Sequence, residues 1–128
     1  MLKYDQVIIV SAEKSDETFE SNRQRTINLG ACLEDCNMYF SKVLISNEGK
    51  ETAAFAVIPR NGAEFDTVKA YAFGNFDQHM ILEQDTKGHL HRTYIDNTSK
   101  IVGKLRQVDK VTSDKHVVMN GKTYQVVR

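Results

Sequence analysis

Polar side chains that could hold a small ligand recur near the ends of apolar segments over the first two thirds of the chain. They are Ser11, Asn22, Arg23, Tyr39, Glu51 and Gln78. A hydroxyl, two amides, a guanidinium, a phenol and a carboxylate can together bind a molecule that carries both charge and hydrogen-bonding groups. Each also has a purely structural interpretation, because an arginine can pair with a helix glutamate and a polar residue can simply end a strand.

The first strand and helix bring several of these residues to one end of the fold. The apolar run Val7–Val10 predicts a buried strand that ends at Ser11. Ser15 is a suitable N-cap for a helix that runs to about residue 35. At a period of 3.6, Asn22 and Arg23 flank one helical face. That face is formed by Phe19, Thr26, Gly30 and Leu33.

Metal and nucleophile motifs are weak in this sequence. His89 and His91 alternate on a predicted strand near Glu83, and Cys32 and Cys36 lie four apart, but neither group has a complete ligand set. The chain has no Gly-x-Ser-x-Gly elbow, Walker loop or dinucleotide fingerprint. We therefore predict a site without metal and without a cofactor.

The length of the chain predicts one domain over residues 1–128, and hydrophobic periodicity predicts that its core spans about 5–95. The predicted elements after the first helix are strands at 38–46, 51–58, 78–84 and 90–95 and a helix at 63–73. This order, β-α-β-β-α-β, predicts a ferredoxin-like antiparallel sheet with both helices on one face. Additional strands are predicted over about 101–128, where Asn120-Gly121 is a strong hairpin signal.

The third predicted strand is apolar on both faces. Ala53, Phe55 and Val57 alternate with Ala54 and Ala56. An open sheet with helices on one side would leave one of these sets exposed, so its helix-free side should be buried as well. Self-association through the sheet, as a cyclic homo-oligomer, is the simplest way to bury it.

Charge and composition narrow the classes of partner. Lys plus Arg and Asp plus Glu both number 17, so the formal charge is zero. Binding nucleic acid or an anionic membrane as a main task needs a basic excess, which this chain lacks. No run is apolar enough for a membrane span and no signal-peptide pattern is present, so we expect a cytoplasmic protein.

Ordered motifs along the chain point to a known family. A strand ends in Val10-Ser11-Ala12, and the following helix carries Arg23-Gln24-Arg25. Tyr39 precedes Glu51, which opens the third strand, and Phe76-Asp77-Gln78 opens the fourth. In this order and spacing the motifs resemble those of the bacteriophage S-adenosylmethionine lyases, formerly described as hydrolases. The resemblance covers most of the chain.

The resemblance implies a reaction within one substrate molecule. The carboxylate of S-adenosylmethionine attacks its own γ-carbon and expels 5'-methylthioadenosine, which leaves L-homoserine lactone. Glu51 and Tyr39 would be the catalytic residues, with Glu51 anchoring the cationic end of the substrate and Tyr39 hydrogen-bonding near the reacting centre. The implied substrate-binding residues are Ser11, Asn22, Arg23 and Gln78. The resemblance also implies a trimer with sites between subunits.

Other functions are compatible with the sequence. Attack by water instead of the carboxylate would make the protein a hydrolase that releases homoserine. A ferredoxin-like trimer could bind a nucleotide or S-adenosylmethionine as a sensor, although the predicted connection at residues 47–50 is short for a signalling loop. A phage protein of this size could also inhibit a host enzyme. If it is a lyase encoded by a phage, it would work in the host cytoplasm, where depleting the methyl donor counters restriction.

Overall fold

A computed structural model describes residues 6–113 and 115–128. In chain order the elements are β1 (Val7–Val10), α1 (Phe19–Asp35), β2 (Tyr39–Asn47), β3 (Lys50–Ile58), α2 (Gly62–Ala70), a π-helical turn (Tyr71–Asn75), β4 (Met80–Gln84), β5 (His89–Tyr94), β6 (Ser99–Val108), β7 (His116–Met119) and β8 (Lys122–Val127).

The strands form a closed antiparallel barrel, and the prediction of an open ferredoxin-like sheet is wrong. The order around the barrel is β1-β3-β2-β7-β8-β6-β5-β4, and β4 pairs back to β1. The first four strands are neighbours in the order β4-β1-β3-β2. The C-terminal strands do not merely extend this sheet. They join β2 to β6 through β7 and β8 and leave no open edge between those strands.

Closure has a physical reason. An open sheet of these strands would expose the unpaired N–H and C=O groups of two edge strands, and pairing those edges through a hairpin satisfies both. β7 pairs with β2 from Ser46↔His116 to Val43↔Met119. β8 pairs with the second half of β6, from Lys104↔Val127 to Val108↔Thr123. The turn Asn120–Gly121, with both residues at positive φ, joins these two strands as the sequence predicts.

Two hydrophobic clusters lie on opposite sides of β3. Phe55 and Val57 pack under the helices, together with Ile8, Leu29 and Val68. The alternate residues of β3 belong to a second cluster with side chains from the facing strands of the barrel; its buried members are Ile9, Val43, Ala54, Ala56 and Val117. Both faces of β3 are therefore buried, as predicted, but the barrel interior does this within one chain. The two-sided pattern no longer requires a second copy.

Helix α1 packs through a face slightly different from the predicted one. Leu29 and Leu33 are fully buried, whereas Phe19 is 80% exposed and lies outside the contact. Gly30 lets the helix approach the sheet, because a Cβ there would lie 3.1 Å from Cζ of Phe55. The rotation of α1 is thus set by its packing on the sheet and not by burial of Phe19 at its start.

The helix ends follow local capping rules. Thr18, not the predicted Ser15, caps α1, since its Oγ1 accepts a hydrogen bond from the N–H of Ser21 at 3.1 Å. Asn61 caps α2 by accepting from the N–H of Glu64 at 2.9 Å. Within the described residues no helix is both long and apolar enough to cross a membrane.

We predict that Gly103→Ala destabilises the barrel. Gly103 has a φ of +143°, and a Cβ there would lie 2.3 Å from the carbonyl oxygen of Val127 in β8. The free energy of unfolding should fall by about 2 kcal/mol or more, through strain and lost pairing. Urea unfolding of this variant beside Gly62→Ala, where a Cβ meets nothing within 4 Å, tests it. Equal stability of the two variants would contradict the prediction.

Candidate functional site

The loop between β1 and α1 is held by two side chains that the sequence predicts to lie in the site. The Asn22 amide grips the backbone of Lys14: Oδ1 accepts from its N–H at 2.8 Å, and Nδ2 donates to its carbonyl at 2.9 Å. Nε2 of Gln78 donates to the carbonyls of Glu13 and Phe76, both at 3.1 Å. Asn22 and Gln78 therefore meet on one short segment, where they fix its backbone.

Arg25 completes this set, and Arg23 does not join it. Nε of Arg25 donates to the carbonyl of Ala12 at 2.6 Å, and its second terminal nitrogen donates to the carbonyl of Phe76. Arg25 lies one helical turn before the buried Leu29, whereas Arg23 lies about 120° around the helix from Leu29 and is exposed. Arg25, rather than Arg23, thus links the β1–α1 loop to the segment that precedes β4.

The end of β1 is joined to β3 by side chains. Oγ of Ser11 donates to the carbonyl of Ala53 at 2.8 Å, and it also accepts from the N–H of Glu13 at 3.1 Å. The Glu13 carboxylate in turn accepts from the N–H of Ala53 at 2.6 Å. Glu51 lies two residues earlier on β3 and on the same face as Ala53. Ser11 is thereby placed in the same neighbourhood as Glu51.

Glu51 itself is exposed near the tip of the β2–β3 hairpin. It pairs with Ser46, which pairs on its other side with His116 of β7. Side chains that are paired across neighbouring strands share one face, so these three stand in a row on the outer surface of the barrel. The sequence alone did not link His116 to Glu51, because their proximity depends on barrel closure.

Tyr39 lies at the far end of the same hairpin. It pairs with Ile58, whereas Glu51 pairs with Ser46, seven residues further along β2. At about 3.3 Å per residue the separation is roughly 23 Å. Tyr39 is 60% exposed, and the Arg60 guanidinium lies over its ring at 4.7 Å from the centroid. One chain therefore does not bring Tyr39 and Glu51 into the same site.

Two clefts border the contact between Glu13 and Ala53. The first has a volume of about 440 Å³, and its lining includes Glu13, Ser15, Asp16, Asp77, Gln78 and His79. The second, of about 340 Å³, runs over the outer face of β2 and β3, and its lining includes Thr26, Lys42, Leu44, Ala53, Val118 and Asn120. A further cleft of about 500 Å³ along β6 contains none of the predicted site residues.

The first cleft is acidic and is spanned by an ion pair. Nζ of Lys14 lies 2.7 Å from Oδ2 of Asp77. This hydrogen bond raises the pKa of Lys14 and lowers the pKa of Asp77 from their ordinary values. Asp77 has a φ of 53°, a left-handed conformation that follows the π-helical turn and brings Gln78 back toward Glu13. With Asp16, the cleft presents two carboxylates against the ammonium group of Lys14, which favours a cationic ligand.

The histidine motif on β5 forms a different contact. Nε2 of His91 lies 2.8 Å from Oδ2 of Asp85, and His89 lies 3.7 Å from the same oxygen. The hydrogen bond to His91 is the main reason that the pKa of Asp85 is lowered to about 2. Among the described residues no group of three or more His, Cys, Asp or Glu side chains is arranged to hold a metal ion.

We predict that Arg25→Ala destabilises the protein and Arg23→Ala does not. Removing the Arg25 guanidinium takes this donor from the carbonyl of Ala12 and leaves the carbonyl of Phe76 with Gln78 alone, at a cost of about 2 kcal/mol in the free energy of unfolding. The exposed Arg23 should change it by less than about 0.5 kcal/mol. Urea denaturation of both variants measures this difference, and a larger loss for Arg23→Ala would contradict the assignment.

Comparison with known proteins identifies the family. No match is found among curated proteins. A family model described as the S-adenosylmethionine lyase family matches residues 8–127, which include the whole barrel except the first residue of β1. This match covers every residue of the loop and hairpin site described above. The chain belongs to the S-adenosylmethionine lyase family.

Proposed function

We propose that this protein cleaves S-adenosylmethionine to 5'-methylthioadenosine and L-homoserine lactone. In this reaction one carboxylate oxygen of the substrate forms a bond to its own γ-carbon while the bond from that carbon to sulfur breaks. The bonding electrons pass to the sulfonium, which becomes a neutral thioether. No proton has to be delivered to the leaving group, and no external nucleophile is consumed.

The match to the S-adenosylmethionine lyase family over residues 8–127 carries this proposal. The charge of the site supports it. The substrate is a cation with a sulfonium and an ammonium group, and Glu51 offers an exposed carboxylate close to the acidic cleft that contains Asp16 and Asp77. The groove over Leu44 and Ala53 adds an apolar surface that suits an adenine ring.

The rigidity of the loop suits a reaction that depends on orientation. A well-aligned intramolecular attack can lower a barrier by roughly 7–11 kcal/mol relative to the unaligned reaction. Asn22, Arg25 and Gln78 each bind a backbone carbonyl of the β1–α1 loop, so the wall of the cleft is fixed before substrate enters. In this proposal Glu51 anchors the substrate ammonium and does not act as a base.

We predict that Glu51→Gln lowers kcat/KM about 100-fold, which corresponds to roughly 2.7 kcal/mol of transition-state stabilisation. Its neutral amide keeps the size of the side chain and removes the charge that anchors the substrate. Purified protein incubated with S-adenosylmethionine and followed by chromatography with mass detection measures this loss. Glu48→Gln is the matched control, because it removes the same charge in the adjacent turn and should alter the rate less than twofold.

The products also distinguish lyase from hydrolase chemistry. In ¹⁸O-labelled water the lactone should appear first and unlabelled, and homoserine formed later by its hydrolysis should carry the label in its carboxyl group. Direct attack of water on the γ-carbon would instead label the homoserine hydroxyl. Substrate that survives intact at high protein concentration would overturn the proposed activity altogether.

The distance between Tyr39 and Glu51 bears on the assembly. If both residues serve one site, each must come from a different copy of the chain, because the hairpin separates them by roughly 23 Å within one copy. A cyclic homotrimer with sites between subunits meets this requirement, and the exposed ring of Tyr39 is available to a neighbour. We include this shared site in the proposal.

Mixing two inactive variants tests the shared site. Tyr39→Phe and Glu51→Gln should each be nearly inactive alone. Random assembly after co-refolding should restore about a quarter of the wild-type activity, because half of the sites receive an intact tyrosine and half of those an intact glutamate. Native mass spectrometry of the same sample gives the number of copies. Activity no greater than the sum of the separate variants would reject the shared site.

A cell that contains this activity would lose its main methyl donor. We include in the proposal that a phage-encoded lyase of this kind protects the phage from host restriction systems that need S-adenosylmethionine. The assay above addresses the chemistry alone. The biological role would be tested by infecting restricting and non-restricting hosts with phage that carry the wild-type or the Glu51→Gln gene.

A further inference from the structure

We propose that Glu13 is a positioning residue that sets the location of Glu51. The inference rests on the function proposed above and concerns a side chain to which the sequence motifs assign no role. Two of the hydrogen bonds of Glu13 join it to different parts of the fold. Its carboxylate accepts from the N–H of Ala53 on β3, and its carbonyl accepts from Nε2 of Gln78 in the loop before β4.

The contact with β3 replaces strand pairing that β1 does not provide. The last residue of β1, Val10, pairs with Phe55, while β3 extends five residues further toward the hairpin turn, to Lys50. Beyond Val10, no strand of the described residues lies beside the edge of β3 that faces β1. Ser11 and Glu13 fill this position with side chains, one binding the carbonyl and the other the N–H of Ala53.

This arrangement reaches Glu51 through the strand itself. Residues two apart on a strand share a face and direct their backbone groups to the same edge. Fixing the Ala53 amide therefore fixes the part of the edge that carries Glu51. The bond is a charge-assisted one at 2.6 Å, a class roughly twice as strong as a bond between neutral groups.

The position of Glu51 should affect the rate of the proposed reaction. A reaction that relies on alignment of the substrate loses rate steeply when an anchoring group moves, and a shift of about 1 Å can cost about 100-fold. A displaced Glu51 could still bind the substrate ammonium loosely. Loss of the Glu13 contact should therefore lower kcat more than it raises KM.

Paired substitutions at position 13 test the inference. Glu13→Gln keeps an oxygen that can accept from the Ala53 N–H, so its kcat should stay within about threefold of wild type. Glu13→Ala removes the acceptor, and we expect kcat to fall at least tenfold while KM changes less than threefold. Amide hydrogen exchange at Ala53 should be faster in Glu13→Ala than in Glu13→Gln.

A control separates positioning from general destabilisation. Asn61→Ala removes the N-cap of α2, which costs stability of a similar kind, and the Asn61 side chain bonds the N–H of Glu64 rather than the β1–α1 loop or β3. It should lower the melting temperature and leave kcat unchanged. If Asn61→Ala lowers kcat as much as Glu13→Ala does, the loss follows stability and the inference is overturned.

The remaining outcomes distinguish failure of the proposed function from failure of this inference. An inactive wild-type protein would overturn the proposed function, and this inference with it. An active wild type beside an equally active Glu13→Ala variant would overturn this inference alone. Suppose that Glu13→Gln had a kcat as low as that of Glu13→Ala, while the Ala53 amide in Glu13→Gln exchanged at the wild-type rate. Glu13 would then act through its charge on the substrate, and positioning would be rejected.

Discussion

The shortness of β1 is the constraint on which the site depends. β1 has four residues and lies between β3 and β4, both of which it pairs with. Backbone groups left beyond its end need hydrogen-bond partners, because buried or half-buried N–H and C=O groups are costly to leave unpaired. Side chains from the following loop and from α1 supply those partners. The polar residues gathered there are thus a direct result of where β1 stops.

Turn residues and hydrophobic periodicity predicted most of the helices and strands. They did not predict which distant strands pair with each other. The strands 116–119 and 122–127 and the turn between them follow from Asn120-Gly121, whose conformational preference is a property of two neighbouring residues. Closure depends on pairing β2 with β7, residues about seventy positions apart. The hydrophobic periodicity of a strand shows which of its faces is apolar, but it does not show which other strand pairs with its edge. Both an open sheet and a barrel satisfy that pattern.

The candidate site was predicted in part, and helix rotation accounts for one difference. Asn22 and Gln78 do lie together on the β1–α1 loop. Including Phe19 in the buried face rotated the predicted contact toward Arg23, whereas packing against the sheet is centred nearer Leu29 and directs Arg25 inward. A shift of one or two residues along a helix changes the direction of a side chain by 100° or 200°. A small error in the predicted buried face therefore exchanges one side chain for its neighbour. Glu13 had no motif to mark it, because its partner is a backbone amide on a distant strand.

Barrel closure by the last hairpin also has a consequence for synthesis. Until β7 and β8 leave the ribosome, the strands already made can form only an open sheet whose edges are β2 and β6. Each edge is a template on which another nascent or newly released chain can add a strand. The interval between translating the sixth strand and the eighth is therefore the period in which this protein is most exposed to misassembly. A chaperone that covers strand edges would act on it there, before β7 and β8 close the sheet.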